Sequence, residues 1–423
     1  MWKRFQRIWK IKELRNSILF VLGMLVIFRF TAHIPIPGVN PEGLRQFLQG
    51  NQILGLLNVF SGGTLENFSI VMLGVAPYIT SSIIFQLLVI VVPQLEEIQK
   101  EGESGQRKIS MYTRLLSVPL ALLQGFALIK LLSSTQVGII TDLNTFKFMS
   151  ALLVVTAGTV FLMWIGELIT EKRIGNGISL LIMAGIITAL PTALQNAIVN
   201  YNSSDLYTYV LFLVIAVVTV VGVVFISEGQ RNIPISHAGR GISSRGYGAS
   251  ETHLPLRVNT AGVIPIIFAI SVILFPPTIA QFFLGRPGFV GSLASFTSEL
   301  FANQLFYGGI YFVMVFAFTY FYTGVVFKPE KIAENLQRQG AFIPGIRPGK
   351  ETESYIAMTM NRLLFIGATF LSFIAVLPFL LQAATGIQSL ALGGTSLLII
   401  VSVAIDIAKQ IDSQVTVHEY DRI

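Results

Sequence analysis

Residues Ile53–Val92 read ILGLLNVF (53–60), SGGTLENFS (61–69) and IVMLGVAPYITSSIIFQLLVIVV (70–92). At a helical rise of about 1.5 Å per residue the first run reaches roughly 12 Å, well short of a bilayer core of about 30 Å, whereas Ile70–Val92 is long enough to cross. The spacing predicts a half-helix beside a full span. Ser61, Gly62 and Gly63 lie between them, and the glycines accept backbone angles that other residues resist, so the half-helix could swing about this hinge. On a helical wheel Val75, Ile79, Ser82 and Gln86 share one stripe that begins apolar and turns polar. Such a stripe fits a pore wall with a dry waist and a wet funnel. It also fits a face packed on a neighbouring helix, where Ser and Gln bond between helices.

The rest of the chain has the composition of a polytopic membrane protein. Hydrophobic residues make up 53% and charged residues 12% of 423, with a mean hydropathy of +0.70, against about 25% charge in an ordinary globular domain. Cysteine is absent, which removes disulfides, thiolate metal sites and cysteine nucleophiles together. Of the four histidines, His237, His253 and His418 fall outside the apolar runs, and His33 stands at the very end of the first. The start, MWKRFQRIWKIKELRNS, is basic and amphipathic. The run after it is too long for a signal-peptide core, so residues 1–16 are expected in the mature protein as a cytoplasmic segment.

Ten spans are expected, at about Ser17–Ile34, Ile70–Val92, Met111–Leu132, Phe148–Leu168, Ile178–Val199, Leu206–Ile226, Val258–Phe283, Gln304–Phe327, Leu363–Gln382 and Leu390–Ile411. An even number puts both termini on one side. The N-terminal segment, the alternate loops, Lys409 near the end of the tenth span and Arg422 in the tail 412–423 make up 24 of the Lys and Arg residues, and the opposite loops hold only Arg45, Lys130, Lys147 and Arg286. By the positive-inside rule the termini are cytoplasmic. Arg29 falls inside the first span, where it is expected to snorkel outward or to pair with backbone near the IPIPG break.

Two cytoplasmic loops, 227–257 and 328–362, each exceed thirty residues and are rich in Gly, Pro and Arg. They read either as solvated connectors or as docking surfaces. An internal repeat links the second and seventh spans: Gly74-Val75-Ala76-Pro77-Tyr78-Ile79 and Gly262-Val263-Ile264-Pro265-Ile266-Ile267 both read G-V-x-P-x-I. Five spans separate them, which fits two inverted five-span halves, 17–199 and 206–411, with a functional axis between them. In the seventh span Asn259 and Thr260 lie toward the cytoplasm and Ile267 lies deeper on the face of Val263, repeating a polar entrance and an apolar middle.

Catalytic signatures are missing: there is no HExxH, no Walker loop, no GxSxG and no acidic pair at mid-membrane depth. Glu167, Asp406 and Lys409 sit near span ends, where solvation is the simplest reading. An intramembrane hydrolase would need a nucleophile with a base. An ion-coupled transporter with a small-molecule site would usually carry carboxylates in its broken helices.

Taken whole, the chain resembles the bacterial SecY family, the channel subunit of the protein-conducting translocon. The resemblance is carried by FRFTAHIPIPG (28–38), NVFSGG (58–63), LGVAPYITSSIIFQLL (73–88), KEGESGQRKIS (100–110), RIGNGIS (173–179), THLPLRVNTAGVIP (252–265), GAFIPGIRPG (340–349) and GGTSLLI (393–399). It implies an all-α clamshell of ten transmembrane helices in two inverted five-helix halves around an hourglass pore. The pore would open across the membrane for secreted chains and sideways for membrane segments. Carried onto matching positions, the pore ring would be Val75, Ile79, Ile182, Ile267 and Ile399. The plug would be the half-helix 53–63, with Leu54, Leu56, Leu57, Phe60, Ser61, Gly62 and Gly63. The lateral gate would lie between the second and seventh spans, with Thr80, Gln86, Asn176 and Ser271 as polar contacts. The two long loops would receive the motor ATPase SecA or the ribosome through Arg240, Arg245, Arg257 and Arg347. Partners resembling SecE and SecG would brace the outside. The resemblance implies no enzyme, no cofactor and no small-molecule substrate. It places the chain in the bacterial cytoplasmic membrane, handling signal sequences and nascent polypeptides. The chain departs from the pattern at NIPISHAGRGISSRGYGASE (232–251), which has more Gly and fewer basic residues than many relatives.

Overall fold

A computed structural model describes residues 9–37, 39–50, 58, 61–133, 144–199, 206–237, 252–284, 286–385 and 391–420. Each of the ten expected spans coincides with a helix or a pair of helices. These are α1 (Lys12–Thr31), α3 (Ala76–Val91), α5 (Glu103–Ser133), α6 (Thr145–Glu171), α7 (Gly177–Val199), α8 (Leu206–Glu228), the pair α9 (Ile264–Ile273) and α10 (Phe275–Phe283), α12 (Gln304–Val326), α14 (Lys350–Thr385) and α15 (Ala391–Tyr420). Short helices α2 (Pro41–Gly50), α4 (Pro93–Lys100), α11 (Phe289–Ala302) and α13 (Pro329–Arg338) join them.

Proline and glycine set where the helices stop. The second span is helical only from Ala76, because the preceding residues run in turns through Gly74, whose φ is +57°. Its far end bends by 100° into α4. Val92 before Pro93 is extended, at φ −104° and ψ 109°, as the proline ring requires of its predecessor. In the seventh span Pro276 and Pro277 open a new helix after Leu274, since proline suits a first turn and not a helix interior. The helices of the ninth and tenth spans run beyond their apolar segments, from Lys350 and to Tyr420. Gln414 Nε2 there donates to the Arg173 carbonyl at 2.7 Å, which ties the tenth span to the loop after the fourth.

The all-α architecture holds for the body of the chain, and one small part of the structure outside it is not helical. The two long loops join in a three-stranded antiparallel sheet of order β2-β1-β3, with β1 Gln230–His237, β2 Thr252–Arg257 and β3 Ala341–Phe342. Ile233 pairs with Leu254 and Ser236 with Phe342. Ile233, Ile235 and Leu256 alternate inward onto Leu336, Ala341, Ile343 and Ile356, so the loops share a small core of their own. Read for charge and Gly/Pro content, these loops do not show that period of two, which is short and interrupted by Pro234 and Pro255.

Two larger apolar cores lie in the helical body. One gathers the end of the third span and the start of the fourth with α2 and residues 65–73. The other draws on both halves of the chain and contains the site described next.

Candidate functional site

The G-V-x-P-x-I repeat is a structural repeat. Gly74 and Gly262 both take positive φ, +57° and +62°, which a residue with a Cβ resists. Val75 and Val263 are the N-cap residues of α3 and α9, and Pro77 and Pro265 stand in the first turns. The two helices that begin in this way pack against each other. Val75, Ile79, Ile182, Ile267 and Ile399 come from four helices, α3, α7, α9 and α15. All are buried, between 0% exposed for Ile399 and 7% for Ile79, in one continuous apolar cluster. The sequence reading left out Val263, the counterpart of Val75 in the repeat, which is buried in the same cluster. A group of aliphatic side chains offers water and ions no hydrogen-bond partner, so a passage lined by it can seal by dewetting and still yield around an extended chain.

The hinge is built at the edge of this cluster. Leu54, Leu56, Leu57 and Phe60 lie outside the described residues. Ser61, Gly62 and Gly63 form a tight turn in which the Ser61 hydroxyl and the Gly63 N–H donate to the Asn58 carbonyl at 2.9 and 2.8 Å. The Thr64 hydroxyl donates to the Ser61 carbonyl at 2.9 Å. Asn58 Oδ1 accepts from the Glu66 N–H at 3.0 Å. Gly62, at φ +80°, sits against the backbone of α7: a Cβ on it would come within 3.0 Å of the Gly185 Cα and 3.1 Å of the Phe28 ring. A Cβ on Gly185 would overlap the Gly62 Cα outright. Both positions must be glycine for the turn to lie so close. Arg29 completes the arrangement. It pairs with backbone as expected, but with the hinge and not the IPIPG break: its Nη1 donates to the Gly62 carbonyl at 3.3 Å.

The four residues expected as polar contacts of a gate all bond within their own elements. The Thr80 hydroxyl donates to the Ala76 carbonyl at 3.0 Å, and the Ser271 hydroxyl to the Ile267 carbonyl at 2.9 Å. Gln86 Nε2 donates to Ser82 Oγ at 3.1 Å, while its buried Oε1 has no hydrogen-bond partner among the described residues. Asn176 accepts from the N–H groups of Ile178 and Ser179 at 3.0 and 3.2 Å at the start of α7, an N-cap role. The seam between α3 and α9 is thus packed by apolar side chains, with no hydrogen bond from these residues across it.

Charge at the span ends and in the loop after the second span is mostly paired. Glu167, read in the sequence as simply solvated, meets Arg114 Nε at 2.7 Å, and Lys409 meets Glu228 at 3.0 Å and the Ser227 carbonyl at 3.1 Å. In the loop after the second span Lys100 holds Glu96 at 2.7 Å and Lys108 holds Glu101 at 2.9 Å. The Lys100 hydrogen bond keeps the Glu96 carboxyl below its ordinary range, and the carboxylates raise both lysines. These pairs are exposed and each contributes little to stability. Arg347 differs. It is exposed, at the tip of the second loop between Pro344 and Pro348 and between glycines of positive φ, Gly345 and Gly349, and no carboxylate pairs with it among the described residues. Its carbonyl accepts from the Thr352 hydroxyl at 2.8 Å, which fixes the tip on the start of α14. Arg257 is exposed at the end of β2, and Arg240 and Arg245 lie outside the described residues.

Comparison with known proteins agrees with this architecture. The SecY family model matches residues 69–408. A protein translocase subunit SecY of Escherichia coli strain K12 is 43% identical, covering 97% of this chain and 93% of its own, and one of Mycobacterium bovis is 41% identical over 97% and 96%. A solved structure described as "The structure of a protein conducting channel" superposes with a TM-score of 0.62 at 17% identity, covering 93% of this chain and 90% of its own. Sec61 in a canine ribosome-channel complex from the endoplasmic reticulum gives 0.59 at 16%. With the whole length of the chain matched at this identity and the fold shared, the chain belongs to the SecY family.

Proposed function

We propose that this chain is the protein-conducting channel of a bacterial cytoplasmic membrane, with its termini in the cytoplasm, passing unfolded secretory polypeptides across and releasing transmembrane segments sideways. The observation that carries the reading is the single buried cluster in which Val75, Ile79, Ile182, Ile267 and Ile399 meet from both halves of the chain. In this reading they are the ring that closes the passage, and the 53–63 segment, hinged at Ser61–Gly63 beside the cluster, is the plug. One of the solved relatives is described as having a plug domain that stabilises the closed state and maintains a membrane seal; the seated hinge supports the same role here.

The seam between α3 and α9 is the proposed lateral gate. Thr80 and Ser271 already spend their hydroxyls on carbonyls one turn back. Parting the helices toward lipid therefore strands no hydrogen-bond donor there, which in hydrocarbon would cost several kcal/mol per group. A midplane small-molecule transporter is the competing reading. Against it, Glu167 and Lys409, two of the charged residues in the spans, sit at cytoplasmic ends and are held in ion pairs.

The natural absence of cysteine permits a direct test. A single cysteine placed at Ile79, Ile182, Ile267 or Ile399 should crosslink to a secretory chain stalled in transit. One at Leu153 or Val221, 61% and 63% exposed on the helical surface, should not. Equal labelling at both sets, or labelling of the surface set alone, would sink the channel reading.

The sheet-bound loops are the proposed seat for SecA or the ribosome, with Arg347 and Arg257 as cations for an acidic groove. SecE and SecG remain the proposed outer braces. A fixed, exposed, unpaired guanidinium suits a bidentate carboxylate. Arg347→Glu should therefore lower SecA-driven translocation roughly tenfold or more, as expected when a charge pair becomes a repulsion, at unchanged channel level and insertion. Wild-type rates at matched channel levels would remove Arg347 from the docking surface.

A further inference from the structure

Arg29 carries a guanidinium inside the first span, an expensive place for a charge that usually marks a function. It lies beside Phe28, whose ring underlies Gly62, on the face of α1 that meets the hinge. Among the described residues Arg29 is the one donor to the Gly62 carbonyl, since the turn leaves that oxygen outside any helix or strand. Glu66 is near enough to act on the same charge, and Glu66 is in turn bound to Asn58 through its N–H and its Oε2. One cation on a different span thus bonds Gly62 directly and attracts the carboxylate of the residue that is bound to Asn58. On the opposite side the turn has only van der Waals contact, Gly62 on Gly185 and Ser61 on Gly74, where added Cβ atoms would be refused. The turn is closed by bonds within its own stretch of chain, and among the described residues the polar hold on it from another span comes from Arg29.

We propose that Arg29 is a positioning residue that latches the Ser61–Gly63 turn in its seat against α7, and so sets how readily the channel leaves its sealed state. The inference rests on the reading of the adjoining segment as a plug, and deepens it by naming what holds the hinge. A bidentate planar donor can keep one N–H on the Gly62 oxygen and direct its charge to Glu66. Lysine, a point donor, can do either well but not both.

The test is resting ion conductance of the purified channel in planar bilayers, read with translocation of a substrate bearing a weakened signal sequence. Arg29→Met should raise resting conductance at least about tenfold, in line with loss of a hydrogen bond to a charged donor, and should admit the weakened signal sequence. Arg29→Lys should restore most of the seal, which a general loss of packing would not predict. In a channel deleted for residues 54–63, Arg29→Met should add no further leak, because the turn it holds is gone. If Arg29→Met and Arg29→Lys both conduct like wild type while the deletion leaks, the latch is wrong and the plug reading stands. If the deletion itself does not leak, the plug reading fails and the latch with it. Additive leak in the double variant would show that Arg29 supports the helical body and not the turn. If Arg29→Met does not accumulate, Glu66→Gln supplies the second variant. A partial leak abolished as a separate effect by the same deletion supports the latch, and no leak overturns the role given to its charge partner.

Discussion

Gly185→Ala should turn a sealed channel into a leaking one. The new methyl group would occupy the position of the Gly62 Cα, and the atom in its way is backbone, which cannot rotate aside as a side chain can. Gly185 lies one helical turn from Ile182 on α7, so the displaced turn is the one nearest the proposed ring. Overpacking of a close contact costs about 1–3 kcal/mol. Because the cost falls on the seated state alone, the balance moves toward the unseated state by roughly ten- to hundredfold. Alanine is a better helix former than glycine, so α7 itself gains, and insertion and expression should hold. Single-channel recording at matched protein levels measures the outcome. Resting conductance equal to wild type would mean that the turn does not need its place against α7 to keep the channel shut.

Exchanging Ile79 and Ile267 together for serine, in a channel also lacking residues 54–63, should give the largest leak of all. The two residues occupy matching positions of the repeat in α3 and α9, both buried in the shared cluster. Hydroxyls at these positions supply the hydrogen bonds that aliphatic groups withhold, and the barrier to ions in a dry constriction is the absence of those bonds. The serine pair alone should leak modestly, because the proposed plug is still present. The deletion alone should leak modestly for the converse reason. Together they should exceed the sum, since two barriers in series have been removed. A combined variant no leakier than the deletion, with the protein inserted normally, would take Ile79 and Ile267 out of the constriction and return weight to a transporter.

The spans were legible because each needs about twenty apolar residues between charged or Gly/Pro breaks, a signal that survives without tertiary knowledge. All ten expected segments meet helices, although the helix of the second span starts at Ala76 and not Ile70. Gly74 explains the difference, and its pairing with Gly262 was visible as a hexapeptide whose conformational meaning required the φ angles. That Val75, Ile79, Ile182, Ile267 and Ile399 fall in one cluster could be inferred from resemblance only; no spacing along the chain places α15 near α3. Hydrogen-bond partners were the least legible feature. Thr80, Ser271 and Gln86 look like links between helices, but a hydroxyl or amide one turn from a carbonyl or another hydroxyl is satisfied locally without any neighbour. Gly185 gave no signal beyond being a small residue in an apolar run, since its role depends on which backbone lies opposite. The sheet was missed for a related reason: β3 has two residues, and its partner strand is more than a hundred positions earlier in the chain.

That sheet couples the two long loops mechanically. The tip at Arg347 is rooted through Thr352 in α14, β3 stands just before it, and β1 lies between β3 and β2. β2 ends at Arg257, and Val263 caps the helix whose next turn bears Ile267. A load applied at one loop is therefore shared by both before it reaches the membrane. If the seam is the gate, as proposed, torque carried by their common strand pairing would reach the base of α9, on one side of that seam. A motor docked at the tip would then not need to touch the passage to open it, and substitutions that loosen β1 from β3 should uncouple docking from opening while leaving docking itself intact.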